Sequence, residues 1–314
     1  MPRAIIVGVT GQDGTYLFRY LNERHYEIFG FGRTRIMTNR DDWKNQAHDI
    51  TSFQEISNLI QRIQPDEIYH LAAFHQSSED PVINNETLFQ HSYEVNVLSL
   101  FHVLEALRLF SPDTHLFYAA SSHIFGRPAS EPQDETTPFN PLGIYAVTKV
   151  SGLHLCRMYR TLYHIHASTG ILYNHESPIR SEQFVSQKIA KAAILCKHDP
   201  HHRLILGDLS VEVDWGYAPD YVDAMHRITT HQKPDDFIIA TGKKSRVEDF
   251  VKIAFEYLGL DWHEYVTEKR EIITKPAVAL VGNPEKLERL TGWKRTVSFP
   301  EMVRLLVESA QNDL

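Results

Sequence analysis

The chain has 314 residues, enough for two domains or for one large α/β domain with a smaller lobe. Apolar residues make up 42% and charged residues 23%, which argues against disorder, collagen-like repeats and coiled coil. With 32 Lys and Arg against 40 Asp and Glu the formal charge is -8, so no nucleic-acid partner is expected and an anionic ligand would need local basic groups.

Short apolar runs open the chain and alternate with longer helical patterns. Ala4 to Val9, Glu27 to Phe31, Glu67 to Ala72, His115 to Ala120 and Ala167 to Tyr173 read as strands, and the alternation predicts parallel βαβ winding. The first and fourth runs are apolar almost throughout, as strands covered on both faces must be. The expected fold class is therefore α/β, a doubly wound parallel sheet with a smaller C-terminal lobe. Between Val95 and Phe110 a helix carries Leu98, Phe101, Leu104 and Leu107 on one stripe and Val97, Leu100 and Val103 on another, together wider than one sheet covers. That width points to a seam between copies of the chain, shared with the Tyr145 to His164 helix, in a homodimer or higher homo-oligomer; burial within one subunit is the alternative.

After Tyr173 the pattern loses regularity, and Pro178, Pro200, Pro219, Pro234, Pro276, Pro284 and Pro300 punctuate it. Residues 1–173 are assigned to the sheet domain and 174–314 mainly to the second lobe, with some segments returning to the first. Ser245 with Glu248, and Ser298 with Glu301, have capping-box spacing at two late helix starts. The segment Cys196-Lys197-His198-Asp199-Pro200-His201-His202 gathers histidines around a proline without helical register; it reads as a solvated loop, and no metal site is expected. The two cysteines, Cys156 and Cys196, show no paired spacing. Met1-Pro2-Arg3-Ala4-Ile5-Ile6-Val7-Gly8 is unlike a secretion signal, and no membrane-length apolar run follows, so a cytoplasmic location without a membrane partner is expected.

Gly8-Val9-Thr10-Gly11-Gln12-Asp13-Gly14 follows the first strand directly and leads into the helical start Thr15-Tyr16-Leu17. Residues without Cβ let backbone N–H groups and a helix N-terminus approach a pyrophosphate, so Gly8, Thr10, Gly11, Gln12, Asp13 and Gly14 are candidate dinucleotide contacts. The spacing is G-x-x-G-x-x-G, not the commoner G-x-G-x-x-G. Where many NAD sites carry an acidic residue after the second strand, this chain has Gly32-Arg33-Thr34-Arg35, and the guanidinium groups of Arg33 and Arg35 suit the 2′-phosphate of NADP. Asp49 and Ile50 are placed against the adenine, and Leu71, Ala72 and Ala73, at the carboxyl end of the third strand, complete the set.

Tyr145 and Lys149, at i and i+4, share one helix face. An ammonium group beside a phenol favours the phenolate, and Ser121 and Ser122 follow the fourth strand at the edge where α/β sheets bind ligands. A hydroxyl, a phenol and a lysine so placed can converge on one carbonyl oxygen, and Tyr145 and Lys149 also belong to the candidate cofactor set.

These features resemble the extended short-chain dehydrogenase/reductase superfamily, and over nearly its whole length the chain is similar to the GDP-mannose 4,6-dehydratase branch. The resemblance is carried by Gly8 to Gly14, Pro65-Asp66-Glu67-Ile68-Tyr69, Asn174-His175-Glu176-Ser177-Pro178, Asp214-Trp215-Gly216 and Asp220-Tyr221-Val222; the Asn-His-Glu-Ser-Pro run is the most specific. It implies a Rossmann domain holding NADP, and a nucleotide-sugar substrate, GDP-linked, contacted by Ser122, Asn174, Arg180, Val185, Lys188 and Lys275. It also implies an internal redox cycle. Tyr145 removes the C4 hydroxyl proton while hydride leaves C4 for NADP+; the ketone acidifies the C5 proton; a base takes that proton, water leaves from C6, and the hydride returns to C6.

The chain departs from that pattern at the second acid/base group. Ser121 stands where threonine is usual, and His123 where the family has a glutamate; a neutral imidazole can accept the C5 proton, and its imidazolium can protonate the leaving hydroxyl. Val213 and Lys275 occupy positions where relatives use arginines near the substrate diphosphate, and the region from Phe74 to Asn96 is longer than usual, which points to changed substrate contacts. Three functions stay open on the sequence: a 4,6-dehydratase using His123, a 4-epimerase or 4-ketoreductase needing only Ser121, Tyr145 and Lys149, and a non-catalytic NADP-binding sensor.

Overall fold

The computed structural model of the chain describes residues 1–32, 36–40, 49–75, 84–272 and 278–312. Strands β1 (Arg3–Val7), β2 (Glu27–Phe31), β3 (Ile36–Thr38), β4 (Glu67–His70), β5 (His115–Ser121), β6 (Ala167–Leu172) and β10 (Asp236–Ile239) form a seven-stranded sheet in the order β10-β6-β5-β4-β1-β2-β3. Neighbours are parallel except β3, which runs antiparallel to β2. Side chains alternate between two cores. Along β1, Ile5 and Val7 join Phe29, Phe31, Ile68 and Leu116 on one side, while Ala4 and Ile6 join Ile28, Tyr69 and Phe117 on the other. That is why the strand is apolar at every position and not at every second one.

Helices α2 (Phe53–Ile63), α4 (Ser99–Phe110) and α5 (Ile144–Tyr163) cover the first core, and α1 (Gln12–Asn22) with α7 (Ala218–Thr229) the second. The chain runs outward from β1 to β2 and β3, then returns to β4 on the other side of β1. The crevice at the carboxyl ends of β1 and β4 is therefore the switch point where such sheets bind ligands.

After β6 the chain builds another core from α6 (Val185–His198), α8 (Val247–Tyr257) and α9 (Phe299–Asn312), centred on Ile189, Trp215, Phe250 and Leu306. Beside it β9 (Glu212–Tyr217) pairs with β7 (Asn174–Glu176) and β11 (Lys244–Arg246), while β8 (Leu204–Leu206) pairs with β12 (Val266–Glu268). Between these elements α7 crosses back to pack on α1, and β10 adds to the edge of the large sheet. Among the described residues no helix is long and apolar enough to cross a membrane.

Two local expectations are corrected. The capping box placed at Ser245 is displaced because Ser245 is held in β11 opposite Val213; α8 starts at Val247, and the Arg246 N–H donates to Asp249 Oδ2 at 2.8 Å. At Ser298 the cap forms, its Oγ accepting from the Glu301 N–H at 3.4 Å. The continuous helix over 95–110 opens instead as a π-helical turn, Glu94–Leu98, that follows α3 (Asn85–Tyr93). Val97, Leu100, Val103, Leu104 and Leu107 are buried within the subunit, whereas Leu98 and Phe101 are exposed.

Candidate active site

The glycine turn packs backbone against backbone. Gly8 has φ +99°, and a Cβ there would lie 2.7 Å from the Ala72 nitrogen; at Gly14 it would lie 2.3 Å from the Gly8 carbonyl oxygen. Neither position admits a side chain. Gly11 differs, since it is exposed and a Cβ there would meet only the Gly8 oxygen, at 3.4 Å. No side chain caps α1 at Gly11, so its opening N–H groups and the positive end of its dipole face the crevice beside Thr10, an arrangement that fits a dinucleotide pyrophosphate.

Gln12 and Asp13 bind across the crevice to the segment after β6. The Gln12 amide donates to the His175 carbonyl at 3.1 Å, and the Ser177 hydroxyl donates to Gln12 Oε1 at 2.7 Å. His175 Nε2 lies 2.9 Å from Asp13 Oδ1, and its Nδ1 lies 2.7 Å from the Tyr173 carbonyl oxygen. A carbonyl oxygen only accepts, so with Asp13 ionised both ring nitrogens carry protons and His175 is an imidazolium. Burial opposes both charges, but their attraction and hydrogen bond outweigh it, lowering the Asp13 pKa and raising that of His175.

Ser121, the last residue of β5, caps the 3-10 turn Ser122–Phe125, accepting from the His123 N–H at 3.3 Å, and hydrogen-bonds the Tyr145 phenol. Tyr145 and Lys149 occupy the start of α5. Lys149 is 1% exposed; its Nζ donates to the Ala119 carbonyl at 2.8 Å and lies 5.6 Å from the Tyr145 ring centre. Burial pushes the phenol up to about 12, against the Ser121 hydrogen bond and the Arg180 charge, and brings Lys149 down to about 7, against the pull of Asp13. Desolvation thus overrides the effect expected from the i, i+4 spacing: the phenol stays protonated near neutral pH, and the lysine divides between its two forms. His123 opens onto the crevice with its ring centre 6.1 Å from that of Tyr145; the protein packed around it lowers its pKa, which favours the neutral imidazole.

On the far side of the crevice Asn174 is exposed at the start of β7, Val185 opens α6, and Lys188 follows in its first turn. The Arg180 guanidinium stacks 3.5 Å over the Phe184 ring and lies 3.4 Å from the buried Glu176 carboxylate, which also accepts from the Ser186 hydroxyl at 2.6 Å. Ser122 is 2% exposed and presents little to a ligand. Asp49 is engaged locally, accepting from the Thr51 N–H and hydroxyl at 2.8 and 2.7 Å, while Ile50 packs against the first core. Leu71 donates its N–H to the Val7 carbonyl, which aligns Ala72 and Ala73 along the turn. Arg33, Arg35 and Lys275 lie outside the described residues.

Residues outside the predicted set also shape the site. His175 lies in the Asn-His-Glu-Ser-Pro run, from which the resemblance alone implies no role for it. His75 and Asn96 fall in the long region from Phe74 to Asn96, whose altered length singles out neither of them, because their positions depend on the π-helical turn and on contacts remote in sequence.

A doubly wound sheet with Ser121, Tyr145 and Lys149 gathered at its carboxyl edge defines a short-chain dehydrogenase/reductase of the extended, nucleotide-sugar type. The sequence pattern of the GDP-mannose 4,6 dehydratase family matches residues 5–306. GDP-mannose 4,6 dehydratase 2 of Arabidopsis thaliana is 36% identical over 326 aligned positions, spanning 97% of this chain and 86% of that protein. The GDP-mannose 4,6-dehydratase of Yersinia enterocolitica is 32% identical, spanning 98% and 93%. The chain belongs to the GDP-mannose 4,6-dehydratase family. Among solved structures, RMD from Pseudomonas aeruginosa in complex with NADPH has the same fold, with a TM-score of 0.83, 18% identity and 100% of both chains covered. The dTDP-glucose 4,6-dehydratase of Bacillus anthracis in complex with NAD also has a TM-score of 0.83, at 16% identity, covering 100% of this chain and 97% of that one.

Proposed function

We propose that the protein is an NADP-dependent 4,6-dehydratase acting on a GDP-linked hexose, with His123 taking the part of the family glutamate. The observation that carries this is the convergence of Ser121, Tyr145, Lys149 and His123 on one crevice in a chain of this family. The glycine cradle and the uncapped start of α1 fit the dinucleotide, and Arg33 and Arg35 favour NADP over NAD. NADP+, when bound, supplies the acceptor for the C4 hydride and the source of the hydride returned to C6.

The chain's own residues move the protons. Tyr145 takes the C4 hydroxyl proton as its phenolate, a form favoured by the Ser121 hydrogen bond, by the Arg180 charge, and by Lys149 once an anionic ligand draws it to its ammonium form. His123, neutral before reaction, takes the C5 proton that the C4 ketone has acidified. Leu98 and Phe101 on one helix and Val147, Met158 and Leu162 on the neighbouring one are exposed apolar side chains, which support a homodimer through this face.

Incubation of the purified protein with NADP+ and GDP-mannose tests the function. Loss of one water from the sugar nucleotide is the expected outcome. An unchanged mass with inversion at C4 would make it an epimerase, two added hydrogens at the expense of NADPH a ketoreductase, and cofactor binding without turnover a sensor.

A further inference from the structure

Two imidazoles face the Tyr145 phenol. The His75 ring centre lies 4.8 Å from that of Tyr145, edge to face at 84°, nearer than His123 at 6.1 Å. His75 is exposed, and its ring also lies near-parallel to that of Phe184, centres 6.5 Å apart at 21°, while the Arg180 guanidinium lies over the same Phe184 ring. Its backbone position is held from within the protein. Asn96, fully buried in the π-helical turn, accepts from the Phe74 N–H at 2.7 Å and donates to the Phe74 carbonyl at 3.2 Å. The same amide donates to the Thr148 hydroxyl at 3.0 Å, which donates to the Tyr145 carbonyl at 2.8 Å. A relay through Asn96 and Thr148 therefore sets His75 against Tyr145, and Phe74 is further fixed edge to face on His91.

Eliminating water requires a base for the C5 proton and an acid for the C6 hydroxyl. We propose that His75 is that acid, working opposite His123 in the same crevice. The proposal rests on the dehydratase reading. His123 takes the proton from C5; the C5–H electron pair forms the C5=C6 double bond; the C6–O bond breaks, and the His75 imidazolium protonates the departing oxygen, which leaves as water. His123 then returns its proton to C5 when hydride reaches C6, and His75 is reprotonated from solvent, balancing the proton that Tyr145 took from the C4 hydroxyl.

Wild type, His75→Ala, His75→Gln and His123→Ala, each with NADP+ and GDP-mannose in deuterated water, are read for two quantities: deuterium at C5 of recovered substrate, and loss of water. NADP+ affinity checks that each variant is folded. Both His75 variants are expected to keep C5 exchange while eliminating water about 100-fold more slowly than wild type, whereas His123→Ala loses both. Elimination by either His75 variant within about twofold of wild type would overturn the proposal, as would loss of C5 exchange together with elimination in both, the result of a merely structural role. A wild type that shows neither exchange nor water loss would overturn the dehydratase reading and this role with it, a failure visible before any variant is made.

Discussion

His175 and Asp13, 2.9 Å apart, join the segment leading to the second lobe to the turn that opens α1. Among the described residues neither group forms a second ion pair, so each should lose most of its reason to be ionised when the other is removed. His175→Gln and Asp13→Asn, combined in a double-mutant cycle, are expected to show coupling of about 1–3 kcal/mol at pH 6, read from urea denaturation. The raised His175 pKa makes its contribution complete below the unfolded value near ~6.5 and lost as pH rises through the folded one. The lowered Asp13 pKa makes its contribution complete above ~3.9 and lost only in stronger acid. Coupling should therefore shrink at pH 9; coupling that is unchanged there would remove the ionic assignment.

The glycine turn separates folding from binding. A methyl at Gly14 meets backbone at 2.3 Å, so Gly14→Ala should lower Tm by several degrees or prevent folding. Gly11→Ala meets only one atom, at 3.4 Å, and should melt with the wild type yet bind NADP at least about tenfold more weakly, because the proposed site brings the pyrophosphate to the place the methyl would fill. Calorimetric titration of folded Gly11→Ala checks this, and wild-type affinity would count against the site.

Lys149 is buried with a pKa of about 7, against ~10.4 in an unfolded chain. The unfolded chain thus binds more protons between these values, so stability rises with pH across that window, and below it the full cost of burying the charge remains. Lys149→Met removes the titration along with the hydrogen bond to Ala119. The stability of wild type relative to the variant should improve by roughly 2–3 kcal/mol from pH 6 to pH 9 in the cofactor-free protein. A gap that does not change with pH would mean that the lysine is charged in the fold.

Asn96 is a sensitive point of the relay because its amide donates twice and accepts once. Asn96→Asp keeps the size and the acceptor but sets a carboxylate against two acceptors, so a stability loss of about 2–4 kcal/mol is expected, together with a fall in kcat and little change in NADP affinity. Denaturation and titration on one preparation would show both; full turnover in this variant would contradict the positioning role.

Much of this was open to sequence reasoning. β1, β2, β4, β5 and β6 are legible as short, mainly apolar runs between helical patterns, and β1 and β5, covered on both faces, are apolar almost throughout. β3 and β10 are not, being three and four residues long and held by strands far away in the chain. Ser121, Tyr145 and Lys149 are legible from their places at a strand end and along one helix face. The engagement of Gln12 and Asp13 with His175 spans more than 160 positions and leaves no local pattern. His75 was hidden for a similar reason, since only the π-helical turn that buries Asn96 brings it to Tyr145.

An internal redox cycle would carry the C4 hydrogen of the sugar to C6, and GDP-mannose deuterated at C4 reports that transfer. After incubation with NADP+, the product is predicted to have lost one water and to carry the deuterium at C6. Deuterium remaining at C4, or lost from the sugar altogether, would rule out the internal redox cycle.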